Sequence, residues 1–189
     1  MNVADDVFEL FIEGDSEAMS ILVEAYKNEL FNFCFRLTWN RADAEDLFQQ
    51  TWVKAVRNAH KYRNDNFRPW LYKICVNQFR DNRKRLMRSQ KHIEEGFAST
   101  SIKDYVLAHA ASGESAEEQY ERKHIQALLI AKIDKLPEKL KCPVVMYYYQ
   151  RMKYAEIAQA TRVPEGTVKS RINAAKRRLK AELEGELYV

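Results

Sequence analysis

The chain has 189 residues, of which 46% are hydrophobic, and a formal net charge of +4, so it can bury one large core or two small ones. No apolar run approaches the roughly 18 residues that a membrane span requires, and the acidic N-terminus does not resemble a signal peptide, so we expect a cytoplasmic protein. The cysteines are odd in number and lack zinc-ligand spacing, which predicts buried free thiols at Cys34, Cys75 and Cys142.

Glycine and proline are scarce, at five and four residues, and long stretches carry helical periodicity, so the chain is predicted to be all-α. From Glu94 to Glu118 the sequence becomes small, polar and acidic. This change predicts two small helical domains, 1–93 and 119–185, joined by a flexible acidic linker over 94–118. Basic residues concentrate at 80–91 and again at 162–180, which suggests two surfaces that face nucleic acid.

A helix is predicted from Asp43, which is well placed as an N-cap residue with further acids in the first turn. Its inward stripe comprises Phe48, Trp52, Ala55, Val56 and Ala59. The opposite face comprises Asp46, Gln49, Gln50, Val53 and Arg57. A valine between amides on an outward face is compatible with a protein partner, but a plain solvated face would look the same.

The segment 60–70 mixes aromatic, amide and basic side chains, among them Tyr62, Phe67 and Trp70. Aromatic faces stack on unstacked bases and amides read base edges, so this composition suits the capture of single-stranded nucleic acid. A packed corner of the fold would have the same composition, and both interpretations stay open.

A polar stripe continues along the next predicted helix, in line with Trp70 and separate from an apolar face. The stripe comprises Asn77, Asp81, Lys84 and Arg88, and the apolar face comprises Leu71, Cys75, Phe79 and Leu86. Arg80, Arg83 and Arg85 widen the positive surface. A helix that contacts bases and also binds the neighbouring phosphates needs this arrangement. A basic helix end adapted for solubility is the alternative.

The pattern at 154–172 predicts a helix-turn-helix whose second helix is basic. Its inward stripe comprises Val168, Ile172, Ala175 and Leu179. Its cationic face comprises Lys169, Asn173, Lys176 and Lys180, with Arg177 beside it and Arg171 and Arg178 flanking the apolar stripe. Arginine pairs with guanine and asparagine with adenine in a major groove, so this face is a candidate reader of duplex DNA.

Other classes of function remain open at this point. A stand-alone helix-turn-helix regulator explains 150–180 equally well but gives no reason for the second basic stripe. An enzyme acting on nucleic acid is disfavoured because the four histidines are scattered and no glycine-rich phosphate loop or metal-binding carboxylate cluster lies on the basic surfaces. A pure protein-interaction bundle would show no effect on DNA.

In this order, the segments resemble the sigma-70 family of bacterial RNA polymerase sigma factors, and specifically its small two-domain extracytoplasmic function (ECF) group. Residues 43–47 with Gln49 resemble region 2.2, and Phe67 through Arg85 resemble regions 2.3 and 2.4. Residues 136–139, 154–158 and 166–171 resemble regions 4.1 and 4.2. The resemblance covers the whole chain except the linker.

The resemblance implies a promoter-specificity subunit that is not an enzyme and needs neither cofactor nor metal. Contacts with the β′ clamp helices fall on Asp46, Gln49, Gln50, Val53 and Arg57. Contacts with the melted −10 element fall on Tyr62, Phe67, Trp70, Asn77, Asp81, Arg83, Lys84 and Arg88. Contacts with the −35 duplex fall on Thr167, Lys169, Ser170, Arg171, Asn173, Lys176, Arg177 and Lys180.

Further partners implied by the resemblance are the β flap of RNA polymerase and an anti-sigma factor, which is membrane-anchored in many relatives. The chain itself is not expected to insert into a membrane. One departure concerns the helix-turn-helix, where Arg162 stands at a position that commonly holds a turn glycine. Either this arginine adopts a left-handed backbone at a conformational cost, or the turn differs.

Overall fold

A computed structural model describes residues 5–63, 66–89 and 116–187. Over these ranges the chain forms only helices, which confirms the all-α prediction. They are α1 (Asp5–Glu13), α2 (Ser16–Thr38), α3 (Arg41–Arg57), a 3-10 turn (Ala59–Lys61), α4 (Phe67–Ser89), α5 (Ala116–Asp134), α6 (Glu138–Val144), a π-helical turn (Val145–Tyr149), α7 (Tyr154–Thr161) and α8 (Glu165–Leu187). None of the helices described here has the length and apolar character to cross a membrane.

The predicted linker lies mostly outside the described residues, which resume at Ala116 where α5 begins. Three residues of the predicted linker, 116–118, are therefore helical. The domain boundaries at 93 and 119 stay predictions.

Local capping explains where the first helices begin. Gly14, at φ +91°, turns the chain between α1 and α2, and the Asp15 carboxylate accepts the Ala18 N–H at 2.8 Å. The cap of α3 is Asn40, whose side-chain oxygen accepts the Asp43 N–H at 3.1 Å. The prediction of Asp43 as the N-cap was therefore wrong by one turn. Burial, followed by the nearby Asp46 carboxylate, raises the pKa of Asp43.

One apolar core runs through both halves of the chain. In the first half, Phe33 on α2 stacks on Tyr72 of α4, with ring centroids 4.5 Å apart. The same cluster of buried side chains continues through Val145 and Met146 of the π-helical turn to Ile157 of α7 and Ile172 of α8. The two predicted domains therefore pack against each other and share one core.

The three cysteines are free and buried, as predicted. Cys34 on α2 and Cys75 on α4 bring their sulfur atoms to 3.6 Å. Burial is the main cause that raises the pKa of Cys34 well above its usual range and the pKa of Cys142 to about 12. The structure thus keeps the thiols of Cys34 and Cys142 protonated, and it buries all three cysteines.

Two side chains predicted to face inward are exposed. Val56 lies at the edge of the α3 stripe, next to Val53, and remains 40% exposed. Leu86 lies on the apolar side of α4 but is 53% exposed, and its neighbours Lys84, Arg85 and Arg88 are also exposed. Both predictions were wrong because helical periodicity gives a direction and does not say how far the covering helices extend.

Arg162 adopts the left-handed conformation that a glycine would favour, with φ 56° and ψ 47°. It ends α7, and its N–H donates to the Ala158 carbonyl. Residues 162–164 then form the turn to α8. Of the two alternatives raised by the sequence, the structure shows the first, because Arg162 itself adopts the strained left-handed backbone.

Replacing Arg162 with glycine is expected to raise the free energy of unfolding by about 1 kcal/mol, because glycine adopts this backbone without a steric cost. The measurement is urea denaturation of the full chain. Arg162→Ala is the matched control, since it removes the charge and keeps the strained backbone. Equal stabilisation by both variants would assign the effect to charge and contradict the backbone explanation.

Candidate polymerase and DNA interfaces

The outward side of α3 forms a continuous exposed surface, which we call the α3 face and define as Asp46, Gln49, Gln50, Val53, Val56 and Arg57. Val53 is 50% exposed, and Val56 extends the apolar patch that sequence reasoning had placed in the core. Two neighbouring valines exposed between polar side chains are compatible with a protein-binding surface. The signal that could have found Val56 is its position one turn after Val53.

Gln50 differs from the rest of the α3 face because it is half-buried and bonded to α4. Its side-chain oxygen accepts the Asn82 amide at 2.9 Å and lies 3.5 Å from the Gln78 amide nitrogen. The Gln78 oxygen in turn accepts the Lys54 ammonium. These hydrogen bonds fix α4, which carries the polar stripe, relative to the α3 face.

The aromatic side chains of segment 60–70 pack inward. Tyr62 and Phe67 are buried, and their rings join those of Phe8 and Phe11 from α1. Trp70 is half-buried, with its ring centroid 5.3 Å from that of Tyr62. For Tyr62 and Phe67 the packed corner therefore describes this structure, and their burial leaves no ring face for a base. Asn64 and Asp65 lie outside the described residues.

The polar stripe of α4 lies on the surface. Asn77, Asp81, Lys84 and Arg88 are all exposed, which follows their predicted alignment. We call these four residues the α4 stripe. Arg83, also predicted to contact DNA, instead extends toward α6, where its Nε lies 3.9 Å from a Glu138 carboxylate oxygen.

Helix α8 has the two faces predicted from its sequence. Val168, Ile172, Ala175 and Leu179 are buried, which confirms the inward stripe. The outward side chains are exposed, namely Lys169, Ser170, Asn173, Lys176, Arg177 and Lys180, whereas Thr167 and Arg171 are half-buried. The Ser170 hydroxyl donates to the Thr167 carbonyl at 2.9 Å, so its proton is engaged within the helix. We call the outward set, with Thr167 and Arg171, the α8 face.

Helix α7 supports α8 as the first helix of the motif. The Glu156 carboxylate accepts the Lys153 N–H at 2.8 Å and so satisfies a free donor at the start of α7. Ile157 and Ala160 are buried and belong to the same core as the inward stripe of α8. The basic face of α8 is thus held on a rigid support, as recognition of a duplex groove requires.

Three polar residues that sequence reasoning passed over join the two halves of the chain. Lys141 is 1% exposed, and Arg68 and Gln150 lie between α4 and the π-helical turn. Burial lowers the pKa of Lys141, and the Asp134 carboxylate offsets part of that effect. A lysine between leucine and cysteine carries no local signal of burial, and only the packing of distant helices reveals it.

Family models match both halves of the chain. The model of sigma-70 region 2 matches residues 22–89, and that of sigma-70 region 4 matches residues 126–179. The first range contains the α3 face and the α4 stripe, and the second contains the α8 face. We use the names region 2 and region 4 for these two ranges.

Known proteins similar to the chain span nearly its whole length. The ECF RNA polymerase sigma factor SigW of Bacillus subtilis is 28% identical over 172 residues, which are 90% of this chain and 91% of that protein. The RNA polymerase sigma-H factor of Pseudomonas aeruginosa is 27% identical over 173 residues, covering 90% of this chain and 89% of its own. The sigma factor RpoE of Bartonella quintana, solved in complex with the anti-sigma factor NepR, has a similar fold, with a TM-score of 0.64, 23% identity and coverage of 87% and 96%.

Proposed function

This chain belongs to the sigma-70 family of bacterial RNA polymerase sigma factors, in its ECF group, and from that premise we propose how its surfaces divide the work of promoter recognition. As a sigma factor it directs transcription initiation and is not an enzyme. The observation that carries the residue-level proposal is the exposure of two polar and cationic surfaces, the α4 stripe in region 2 and the α8 face in region 4. A stand-alone regulator would need only the second.

The α3 face binds the clamp helices of the β′ subunit. Its exposed valines supply apolar area at the centre, and Asp46, Gln49 and Arg57 surround them with groups that form hydrogen bonds. Gln50 couples this contact to α4 through Asn82 and Gln78, so docking on polymerase and presentation of the α4 stripe share one rigid support.

The α4 stripe reads the melted −10 element. Asn77 and Asp81 offer hydrogen bonds to base edges, while Lys84 and Arg88 neutralise phosphates on the same strand. Trp70, half-buried at the head of the stripe, keeps part of its ring exposed for stacking on a base, a contact that is generally worth about 1–3 kcal/mol. Tyr62 and Phe67 shape this corner from within, and we assign them no direct contact in the packed conformation.

The α8 face enters the major groove of the −35 element. Lys169, Arg171, Asn173 and Lys176 are the base-reading candidates, whereas Arg177 and Lys180 lie further along the helix and contact phosphate. Thr167 lies in the first turn of α8 and Ser170 in the second, where short side chains let the helix approach the DNA closely. The division of labour thus assigns duplex recognition to region 4 and single-strand recognition to region 2.

A further proposed partner, beyond polymerase and DNA, is an anti-sigma factor. A similar solved protein is bound by an anti-sigma factor, and we extend that class of partner to this chain, with a membrane-anchored form as one version. We also propose a cytoplasmic location, because a sigma factor acts at promoters on the chromosome. Co-expression with a neighbouring gene for a protein with one membrane span, followed by co-purification, tests the anti-sigma partner and its membrane-anchored form. A chain that purifies alone contradicts that partner.

Replacing Val53 with lysine is expected to weaken binding to core RNA polymerase at least about tenfold, since it puts a charge into the apolar centre of the α3 face. The measurement is competition for core polymerase by fluorescence anisotropy. Ile125→Lys is the matched control, because Ile125 is an aliphatic residue 44% exposed on α5, outside the proposed face. Equal weakening by both variants would contradict the assignment of α3.

A further inference from the structure

The three cysteines of the chain come together in the core from three different helices. Cys34 lies on α2, Cys75 on α4 and Cys142 on α6, and all three are buried. Cys34 and Cys75 are in van der Waals contact, with 3.6 Å between their sulfur atoms. Burial raises the pKa of Cys142, and Cys75 adds a smaller contribution in the same direction, so the third thiol lies nearby. Neither polymerase binding nor DNA reading, as proposed above, uses these thiols.

The packing of α2 on α4 fixes the geometry of the Cys34–Cys75 pair. Next to the pair, Phe33 of α2 stacks on Tyr72 of α4, with 4.5 Å between the ring centroids. Two thiols held in contact react with each other at a high effective concentration, which favours an intramolecular disulfide over a mixed disulfide with a small thiol. The sulfur atoms must approach to about 2.05 Å for the bond to form, which side-chain rotation and a small shift of the helices supply.

Region 4 covers this pair of thiols. Tyr72 and Phe79 lie on the same face of α4 as Cys75, one turn to either side of it. The Tyr72 hydroxyl is 3.1 Å from the side-chain oxygen of Gln150, and the Phe79 ring is 5.6 Å from the Lys141 ammonium. Gln150 and Lys141 both belong to region 4, so the Cys75 sulfur lies beneath that region and away from solvent.

Burial controls the rate at which these thiols react. The thiolate is the species that an oxidant attacks, and burial, with a smaller effect of Cys75, raises the pKa of Cys34 well above its usual range. Oxidation of the packed chain is therefore slow, and it requires an oxidant that is small and uncharged. Hydrogen peroxide belongs to that class. The contact between the sulfur atoms favours the disulfide as product, whereas the cover delays its formation.

We propose that Cys34 and Cys75 form a dithiol–disulfide pair, which hydrogen peroxide oxidises to a disulfide that links α2 to α4 within region 2. One thiolate attacks a peroxide oxygen and breaks the O–O bond, which forms a sulfenic acid and releases hydroxide. The second sulfur attacks the sulfenic sulfur, forms the S–S bond and displaces the oxygen. Two thiols and one peroxide thus yield one disulfide and two waters, and the second thiol captures the sulfenic acid before further oxidation.

The consequence of the disulfide is greater resistance to unfolding. Its two cysteines are 41 residues apart in the sequence, so the link restricts the unfolded chain far more than the folded one. Cys75 is buried, whereas Asn77 and the rest of the α4 stripe are exposed, so the disulfide leaves those side chains in place. This modification does not depend on the function proposed above.

Peptide mapping of the oxidised full chain tests the pairing directly. The reduced parent is incubated overnight with a molar excess of hydrogen peroxide, its remaining thiols are blocked in denaturant, and its disulfides are identified by mass spectrometry. Lys61→Cys carries an added exposed thiol and shows that the oxidant has acted. We expect two of the three thiols to be lost to a Cys34–Cys75 disulfide that dithiothreitol reverses. Three free thiols after the exposed thiol has fully reacted overturn the proposal.

Urea denaturation measures the effect of the link, with each variant compared only with its own reduced form. Oxidation is expected to raise the denaturation midpoint of the parent, and of Cys142→Ala, by about 1 M or more. Cys34→Ala and Cys75→Ala each retain one thiol of the pair and should show no such rise.

Three further outcomes overturn the proposal: a disulfide that contains Cys142, a sulfinic acid on Cys34 or Cys75 in place of the disulfide, and a Cys34–Cys75 disulfide without a rise in the midpoint. Where an alanine variant does not fold, the peptide map and the midpoints of the parent still decide between the pair and these alternatives.

Discussion

Arg171→Ala is expected to weaken binding of the chain to a −35 duplex by about 1–3 kcal/mol while leaving its affinity for a single-stranded −10 oligonucleotide unchanged. Arg171 lies on α8 at the edge of the buried stripe, where its side chain can reach a base edge in the major groove. The measurement is fluorescence anisotropy with the two elements of a promoter from upstream of the protein's own operon, presented separately.

Arg178→Ala provides the matched control for this prediction. Arg178 lies two turns further along the same helix and is bonded to Glu182, with 2.8 Å between Nε and the carboxylate. Arg178→Ala therefore removes the same single positive charge as Arg171→Ala, but no proposed base contact. Asn77→Ala should give the reverse result, weakening the −10 strand and sparing the duplex. Losses of equal size on both probes from Arg171→Ala would contradict the division between region 2 and region 4.

Asp134→Asn is expected to lower the free energy of unfolding by about 3 kcal/mol, because it leaves the buried Lys141 ammonium without its anionic partner. Lys141→Met should cost less, since Asp134 is partly exposed and water can solvate it. Chemical denaturation of both single variants and the double variant forms a cycle in which the double variant recovers part of the Asp134→Asn loss. Glu182→Gln, which breaks an exposed pair, should cost less than about 0.5 kcal/mol.

The pH dependence of the same site has a definite sign. Burial makes the pKa of Lys141 lower in the folded chain than in the unfolded chain, so between these two values the unfolded state binds more protons. The stability of the parent relative to Lys141→Met should therefore rise as the pH increases from the lowered value toward about 10.4. A difference that falls over this window would show that Asp134 outweighs burial and would contradict the described environment of Lys141.

Periodic features of this chain could be predicted from sequence, and features that depend on distant packing could not. The inward stripe of α8 follows from helical spacing alone, and all four of its residues are buried. Leu86 fits the same rule but lies where α4 extends beyond its covering helices. Tyr62 and Phe67 show a different difficulty, because aromatic side chains look alike in a packed corner and in a base-binding loop until α1 is placed over them.

The contact between region 2 and region 4 could not be predicted locally for a related reason. Lys141 and its acceptor Leu37 are 104 residues apart, and Arg68 and Gln150 are 82 apart. Nothing in the sequence around Lys141 or Arg68 marks it as a residue that joins the two regions. Arg162, by contrast, stands out through the resemblance to the family, in which a turn glycine is common at this position, and its φ of 56° is the left-handed backbone that such a glycine would adopt.

Transcription from defined promoters by purified core RNA polymerase, with and without this protein, tests the central claim most directly. We expect initiation at a promoter upstream of its own operon only when the protein is present, and its loss when the −10 or the −35 element is scrambled. Val53→Lys should lower that signal when the protein is limiting, and Ile125→Lys should keep it. Equal initiation with and without the protein across a panel of such promoters would contradict the account.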